Sequence, residues 1–452
     1  MTSSRTTAVL RFALAAVAAL SIGFADAAAA EGSTGRPQPL SHDVDLHWAP
    51  STRILTGTES IEFRNIGPGA LPVIWLRLWP NDSIRGQADG CRRPRLRIRA
   101  LEGAIVARYA VACSAVALEL SRPLATGETA TVKLGLTARA PRSESLFGRS
   151  AGVDLFGRVV PVMAVRDSHG WHLDPDTAVG DPAFSLAAAW RATIRMPAWL
   201  DAASTGAESS SALEGGERVV RASTPRARDF GFAIGRLRHR SATVDGVRVR
   251  VLFSSRTSAA RARQALGHAR DAVRAYSRWY GAYGSPELDL VITGLGESSQ
   301  EVPEIVFTDP DRATVAHEVA HQWFYAIVGN DQFRSPWLDE SFASWSEAQL
   351  VPGHYECDRA DPLGRYRGWL GRSLAFFEDH PEAYVDVVYE RGACALSVLA
   401  RALGRRRFLA LLATEVSRHR YGVIDTAGFL DLVKGADPAV AARWARLTGL
   451  SD

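Results

Sequence analysis

Two histidines four residues apart are the feature that most constrains the fold of this chain. His317 and His321 enclose Glu318 in the run His-Glu-Val-Ala-His. Residues four apart lie on one face of an α-helix, a turn from each other, so both imidazoles can reach the same metal ion. A catalytic zinc site has three protein ligands and keeps a further position open. The chain is therefore expected to fold so that this helix face meets a third ligand at an accessible cleft.

Glu340 is the predicted third ligand. It follows the Gly-Asn-Asp turn at residues 329–331 and starts a second helical run, residues 340–350. Two histidines and one carboxylate are a ligand set typical of zinc hydrolases. Glu318 directly follows His317 and is the predicted general base, because its carboxylate can take a proton from the attacking water.

The histidine motif lies in a segment with the apolar spacing of a helix, residues 311–328. The apolar residues of this stripe are Ala316, Val319, Ala320, Trp323, Phe324 and Ile327. This spacing predicts an amphipathic helix over the whole segment. The alternative is a buried histidine pair with ordinary hydrogen-bond partners. It is disfavoured because a core helix rarely buries a glutamate between two histidines without a metal to balance its charge.

The length and the charge of the chain limit its architecture and partners. The 452 residues exceed one ordinary domain and predict two domains. The formal net charge of +4 is small for this length. It predicts neither nucleic-acid binding nor charge-driven membrane binding.

The N-terminal 30 residues have the pattern of a secretory signal. Arg5 and Arg11 are followed by an apolar stretch, residues 12–24, and then by small residues that suit cleavage at 25–27 or 28–30. The apolar stretch is shorter than a membrane span requires, so a retained anchor is the weaker alternative. We expect a secreted, cell-envelope or periplasmic protein with no stable membrane span after cleavage.

The four cysteines fit an oxidising compartment. They are Cys91, Cys113, Cys357 and Cys394. Four cysteines allow three pairings, and the sequence alone does not choose among them. Buried free thiols are the alternative.

The hydrophobic period changes along the chain. Up to residue 245 it alternates as in strands, for example at residues 44–48, 59–64 and 73–78. From about Ser254 it becomes helical, with a strand at residues 288–292 and an edge-like segment at 301–307. The sequence predicts an α+β fold, with a signal at 1–30, a β domain at 31–245 and a mainly helical zinc domain at 246–452.

These motifs resemble the aminopeptidase N and leukotriene hydrolase family of gluzincin zinc metallopeptidases. The spacing from the histidine pair to the third ligand is the family's. Residues 337–343, Trp-Leu-Asp-Glu-Ser-Phe-Ala, are similar to its W-L-N-E-G-F-A motif, and residues 388–393, Val-Tyr-Glu-Arg-Gly-Ala, to its V-Y-E-K-G-A motif. Residues 43–81 and 170–174 also resemble it. The resemblance implies a saddle-like β domain over a thermolysin-like catalytic domain. Because the chain ends at Asp452, we expect a short form without the long C-terminal helical domain and with a more open cleft.

The resemblance also implies roles for two further residues. Tyr389 would donate to the oxyanion of the transition state, with Tyr384 as the nearby alternative. Glu301 would bind the free amine of the substrate, as the glutamate of the family's G-x-M-E-N segment does. The matching run here has Ser299 instead of glycine, which is expected to narrow the cleft. No second amine-binding acid from the β domain is placed by the sequence.

The sequence therefore predicts an exported zinc aminopeptidase that binds one zinc ion and a peptide substrate. One alternative is a zinc endopeptidase, or another zinc hydrolase that needs no free N-terminus. The other is a non-catalytic binding protein that retains a zinc site. Glu347, seven residues after Glu340, either supports the site or is a solvated carboxylate. His169 and His172 lie too close together in a loop to form a second site without further ligands, and His172 is expected to pack beside Trp171.

Overall fold

The computed structural model describes residues 37–81, 91–143, 145–296, 299–358 and 360–450 of the chain. The predicted signal, residues 1–30, lies outside the described residues. Within the described ranges, no helix combines the length and the apolar character that crossing a bilayer requires.

Strands account for most of the regular structure up to residue 253. In chain order they are β1 (Pro37–Ala49), β2 (Ile54–Asn65), β3 (Leu71–Arg77), β4 (Leu96–Glu102), β5 (Ala104–Ala110), β6 (Ala115–Leu124), β7 (Thr129–Arg139), β8 (Phe147–Ser150), β9 (Val153–Phe156), β10 (Val162–Met163), β11 (Arg166–Asp167), β12 (Gly170–Trp171), β13 (Ala188–Pro197), β14 (Asp201–Ser204), β15 (Ala207–Glu214), β16 (Glu217–Ala227), β17 (Phe232–Gly235), β18 (Arg238–Val244), β19 (Val247–Phe253), β20 (Glu287–Ile292) and β21 (Ile305–Thr308).

A seven-stranded sheet is the largest unit of the β region, with the order β15-β16-β13-β1-β2-β7-β4. In β1, alternate residues such as Val44, Leu46 and Trp48 are buried, as the period of a strand with one covered face requires. These side chains share one apolar core with residues of the four-stranded sheet β10-β3-β6-β5. The alternation seen in the sequence therefore reports a real two-layer β core.

A third sheet, β14-β17-β9-β8, connects this region to the helical one. Its Val153 and Leu155 share a small apolar core with Val291 and Val302, which belong to the region of the last sheet, β18-β19-β20-β21. β18 precedes residue 245 and pairs with β19 along its whole length. The division of the chain at residue 245 stays a prediction.

Helices dominate the remainder of the chain. They are α1 (Ala259–Tyr280), α2 (Arg312–Ala320), α3 (Trp337–Leu350), α4 (Leu374–Glu378), α5 (Pro381–Tyr384), α6 (Gly392–Leu403), α7 (Arg405–Arg418), α8 (Thr426–Ala436) and α9 (Pro438–Thr448). A π-helical segment, Val385–Arg391, joins α5 to α6. The predicted α+β class is confirmed, with a β-sheet region followed by a mainly helical one.

The helix that carries the histidines is shorter than the apolar spacing predicts. α2 ends at Ala320 and does not reach residue 328. After it, the amide of Trp323 bonds to the carbonyl of Ala320 at 2.9 Å, and Tyr325 has a φ of 132°. This backbone turns away from the helix axis, yet its aromatic residues remain buried. Beyond Ala320, the apolar pattern therefore reflects burial of the side chains and not a continued helix.

Two other helical predictions are also corrected. α3 begins at Trp337, before Glu340, and its first amides bond to carbonyls of Ser335 and Pro336. Residues 351–358 and 360–373 are irregular apart from a short 3₁₀ turn at Gly364–Tyr366, whereas the sequence predicts a mainly helical region there. The structure pairs Cys357 with Cys394 and Cys91 with Cys113. The first of these disulfides ties the irregular connection to α6.

Candidate active site

The three predicted metal ligands meet between α2 and α3. Asp311 caps α2 by accepting a hydrogen bond from the Thr314 amide at 3.0 Å. His317 lies in the last turn of this helix, and His321 directly follows its end. The Nε2 atoms of the two histidines are 3.0 Å apart. Oε2 of Glu340 lies 3.1 Å from the first Nε2 and 3.3 Å from the second.

This triangle has the size of one face of a zinc coordination sphere. Bonds of about 2.0–2.1 Å in tetrahedral geometry separate neighbouring ligand atoms by about 3.3 Å. The chemistry of the ligands agrees, since two imidazoles and one carboxylate suit zinc. The residues present therefore fit a zinc ion.

A carboxylate holds the other nitrogen of each histidine. Nδ1 of His321 lies 2.6 Å from Oδ1 of Asp339 and 3.2 Å from the carbonyl of Phe324. Nδ1 of His317 lies 3.4 Å from Oε2 of Glu347. Such outer carboxylates fix the orientation of an imidazole and leave its Nε2 free to bind a metal. Glu347 thus lies beside the site, which was one of the two alternatives left open by the sequence.

Asp339 was missed by the sequence analysis. It occupies the position where the family motif has asparagine, directly before Glu340. An acidic residue next to a predicted ligand on a helix was the signal available.

The buried charges of the site call for a cation. Burial raises the pKa of Glu318 to about 8, against the opposite effect of the two imidazoles. Its Oε2 is buried and has no hydrogen-bond partner among the described residues. Burial alone would lower the pKa of His317, but Glu340 and Glu347 outweigh burial and raise this pKa to about 9. Several carboxylates thus surround two imidazoles, and a metal ion would balance them.

Tyr389 lies against the ligands. Its ring stacks on that of His317 with 5.6 Å between centroids, and its hydroxyl bonds to the Glu340 carboxylate. Tyr384 is one step further away, because its ring meets Tyr389 edge-on at 5.7 Å and its hydroxyl bonds to Tyr389. Of the two tyrosines weighed from the sequence, Tyr389 is the one that contacts the predicted metal ligands.

The π-helical segment that carries Tyr389 is held against α3. The hydroxyl of Ser341 donates to the carbonyl of Val388 at 2.5 Å. Gly392 approaches Ser341 so closely that a Cβ on this glycine would lie 1.9 Å from Oγ. π-Helical turns are rare and are frequently found at functional sites.

Glu301 lies near the same site, beside the edge of the last sheet. Gln300 pairs antiparallel with Phe307, and Glu301 is buried beside this bridge. Its charge raises the pKa of Glu318 as a smaller contribution after burial. Ser299 directs its hydroxyl to the carbonyl of Gly296 at 2.9 Å. The Arg158 guanidinium, which the sequence analysis missed, donates to Oε1 of Glu301 at 3.0 Å.

The second histidine cluster already contains a cation. Nδ1 of His172 lies 2.9 Å from Asp331, and its Nε2 lies 2.7 Å from Asp167. Arg334 contacts Asp331 at 2.6 Å and Asp174 at 3.0 Å. The guanidinium therefore occupies the place that a metal would need. His169 is exposed, and the His172 ring packs edge-on against Phe184 rather than on Trp171.

Comparisons with known proteins agree with this geometry. Residues 309–368, which contain both histidines and Glu340, match the peptidase family M1 domain. Aminopeptidase M1-B of Oryza sativa subsp. japonica is 30% identical over 129 residues, which are 24% of this chain and 14% of the relative. Endoplasmic reticulum aminopeptidase 1 of Homo sapiens is 31% identical over 127 residues, which are 24% of this chain and 13% of the relative.

The likeness to solved structures extends over nearly the whole chain. A mutant M1 zinc metallopeptidase from Deinococcus radiodurans, bound to a Tyr-Ser-Ala substrate, has a TM-score of 0.68 and 20% identity. That comparison covers 91% of this chain and 94% of the other chain. The matches to the rice and human relatives, in contrast, span 14% and 13% of their lengths. The matched domain, the related sequences and the shared fold all resemble those of the M1 aminopeptidase N family of metallopeptidases.

Proposed function

We propose that this protein is a zinc-dependent aminopeptidase that removes N-terminal residues from peptides. The observation that carries the proposal is the convergence of the triangle formed by His317, His321 and Glu340 with Glu318, while Glu301 lies near the same site. The rice and human relatives are named as aminopeptidases, and the related Deinococcus structure holds a tripeptide. A peptide is therefore the substrate class that we propose here.

One zinc ion per chain would be held by the side chains of His317, His321 and Glu340. When bound, zinc polarises the substrate carbonyl and makes water a stronger nucleophile. In the described part of the chain, this group has three ligand side chains. Structural zinc sites usually close with a fourth protein ligand. The ligand count therefore favours catalysis over the binding-protein alternative.

The side chains of the site divide the chemistry among them. Glu318 takes a proton from the attacking water and gives one to the leaving amine. The Tyr389 hydroxyl donates a hydrogen bond to the oxyanion that forms at the substrate carbonyl. Glu301 pairs with the substrate ammonium, which fixes the N-terminus and places the first peptide bond at the site.

Paired cleavage assays test this function. Aminoacyl or dipeptide reporters with a free amine are compared with their N-acetylated forms, using zinc-loaded protein. We expect the free forms to be cleaved about a hundredfold faster or more, because a blocked amine leaves the buried Glu301 carboxylate unpaired. Glu301→Gln should remove most of this preference. The exposed Glu382 provides a matched control, and Glu382→Gln should keep it.

Other results would select the alternatives. Equal cleavage of free and acetylated peptides would support the alternative function, that of a zinc endopeptidase. Full zinc content with cleavage of neither form would support a binding protein.

We also propose that the protein is exported. The N-terminal pattern of two arginines, a short apolar stretch and small residues supports this proposal. The disulfides Cys91–Cys113 and Cys357–Cys394 also support it, since such bonds persist in oxidising compartments. N-terminal sequencing of the protein recovered outside the cytoplasm should give a start at residue 28 or 31. Recovery in the cytoplasm with an intact N-terminus would contradict the proposal.

A further inference from the structure

Arg158 joins three carboxylates that come from distant parts of the chain. Its side chain is 3% exposed and lies in the loop that follows β9. Nε donates to Asp229 at 2.7 Å, Nη2 donates to Glu301 at 3.0 Å, and Nη1 bonds to Asp181. Each nitrogen of the planar guanidinium thus has its own carboxylate, an arrangement that fixes direction as well as distance.

This contact determines how Glu301 is presented. The hydrogen bond from Arg158 occupies Oε1 of Glu301, and the structure gives Oε2 no hydrogen-bond partner among the described residues. Glu301 sits beside the bridge from Gln300 to Phe307, and the backbone there fixes only the start of its side chain. Arg158 fixes the other end. One carboxylate oxygen is held and the other is left for a ligand.

Although Arg158 is itself a cation, the buried groups around it carry more negative than positive charges, which favours a further cation beside Glu301. Three carboxylates, those of Asp181, Asp229 and Glu301, share this guanidinium. The neighbouring buried cation, Arg228, gives its donors to backbone carbonyls, including that of Tyr325 at 2.7 Å. Even with both arginines counted, the carboxylates outnumber the cations. An ammonium group at the free oxygen of Glu301 is therefore not repelled by a net positive surrounding.

The cluster is also connected to the zinc helix. The hydroxyl of Tyr325 donates to Asp229, and the Arg158 guanidinium lies over the Tyr325 ring at 5.3 Å. The residue before it, Phe324, accepts the hydrogen bond of His321 through its carbonyl. Glu301 and the metal ligands are thus held by one continuous set of buried contacts.

From this geometry we propose that Arg158 is a positioning residue for amine recognition. It orients Glu301 so that one oxygen receives the substrate ammonium, and Asp181 and Asp229 keep it in place while offsetting its charge. The proposal rests on the proposed aminopeptidase function and adds a residue that sets the strength of the preference for a free N-terminus.

The test uses zinc-loaded full-length protein with free-amine and N-acetylated aminoacyl reporters. Arg158→Lys retains the charge but replaces the planar guanidinium, whose three nitrogens each contact a different carboxylate, by a single ammonium nitrogen that cannot reproduce this geometry. We expect it to raise KM for the free-amine reporter by about tenfold or more, because small misplacements of a positioning group are costly. Its kcat should change little, and kcat/KM for the acetylated reporter should stay unchanged. Arg158→Gln should raise KM for the free-amine reporter further. If Arg158→Gln does not fold, the result for Arg158→Lys alone tests the positioning role.

The same substitution in the Glu301→Gln variant distinguishes a role of Arg158 in positioning Glu301 from a general role in stabilising the fold. With Glu301→Gln present, Arg158→Lys should have no further effect on KM, because the group that it positions is gone. Arg149 is a matched control, since it pairs with Asp154 nearby and is 46% exposed. Arg149→Gln should leave both reporters unaffected.

The possible failures are distinct. A wild-type protein that cleaves both reporters equally would overturn the aminopeptidase function, and this inference with it. A wild-type protein that discriminates, with an unchanged KM in Arg158→Lys or an equal loss in the Glu301→Gln background, would overturn this inference alone.

Discussion

At the scale of residues, each of the two histidines of the candidate site has a carboxylate partner. Asp339 lies 2.6 Å from Nδ1 of His321, and Glu347 lies 3.4 Å from Nδ1 of His317. Removal of such outer carboxylates typically lowers metal affinity by about 10- to 100-fold. Glu318 has no such partner at Oε2, as expected for a group that exchanges protons with substrate and water.

The first prediction separates the ligand role of Glu340 from the base role of Glu318. Glu340→Ala should lower zinc content, because it removes one of three ligands. Glu318→Ala should keep zinc and lose activity, since it removes only the base. Elemental analysis of the purified variants measures the zinc content. Full occupancy in Glu340→Ala would remove that residue from the ligand set.

The second prediction concerns the oxyanion donor. Tyr389→Phe should lower kcat by about a hundredfold or more with zinc retained and KM little changed, because one donor to the transition state is lost. Tyr384→Phe is the matched comparison and should lose only a few-fold, since its hydroxyl reaches Tyr389 rather than the ligands. Steady-state kinetics on a free-amine reporter measures both. The reverse order of losses would assign the oxyanion role to Tyr384.

At the scale of elements, the position of Tyr389 depends on how closely the π-helical segment and α6 approach α3. Gly392 begins α6, and a Cβ there would lie 1.9 Å from Oγ of Ser341. Ser341 in turn follows Glu340 and bonds to the carbonyl of Val388. The glycine thus permits a contact that places the tyrosine beside a metal ligand.

The third prediction tests this close approach. Gly392→Ala should destabilise the fold by about 1–3 kcal/mol through overpacking and should lower kcat by displacing Tyr389. Gly267 lies inside α1 with no atom near the position of a Cβ. Gly267→Ala should therefore stabilise the protein by about 0.5–1 kcal/mol, the usual gain in a helix interior. Denaturant unfolding and kinetics compare the two, and equal effects would contradict this role for Gly392.

The features predictable from the sequence were those that depend on local spacing. The two histidines could be placed because helix geometry puts residues four apart on one face. Glu340 could be placed because its spacing from the histidines and its motif resemble those of the family. The end of α2 could not be placed, because the residues after His321 are buried in a turn and remain apolar. The Arg158 cluster was also out of reach. Its contacts to Asp229 and Glu301 span 71 and 143 residues, and no local pattern encodes contacts at that distance.

At the scale of the whole molecule, the β region and the helical region are joined by ion pairs as well as by apolar packing. Asp167 and His172 come from the segment around β12, and Asp331 and Arg334 come from the connection between α2 and α3. This cluster therefore fastens the β region beside the element that carries the metal ligands. The contribution of this cluster to stability should depend on pH, because the cluster contains a histidine.

The sign of that dependence follows from the groups involved. Burial lowers the pKa of His172, but Asp331 and Asp167 outweigh burial and raise it above its ordinary value of 6.5. A raised pKa contributes stability below pH 6.5 that is lost as the pH rises through the folded-state value. The pKa of Asp331 is lowered from 3.8, since bonds to His172 and Arg334 outweigh burial. Its contribution is present above pH 3.8 and is lost as the pH falls through its folded-state value.

The fourth prediction is that His172→Gln costs more stability in mildly acidic solution than in alkaline solution. In mildly acidic solution the imidazolium and both carboxylates are charged, so the substitution removes a buried ionic contact, whereas in alkaline solution above the raised pKa of His172 it removes a neutral one. Thermal unfolding of zinc-loaded wild type and variant at both pH values measures the difference in Tm. His169→Gln changes the same residue type in the same loop at a side chain that is 83% exposed, and its effect should be small at both. If the loss in His172→Gln is equal at the two pH values, the histidine acts there by packing alone, and the contact between the two regions is not pH-dependent.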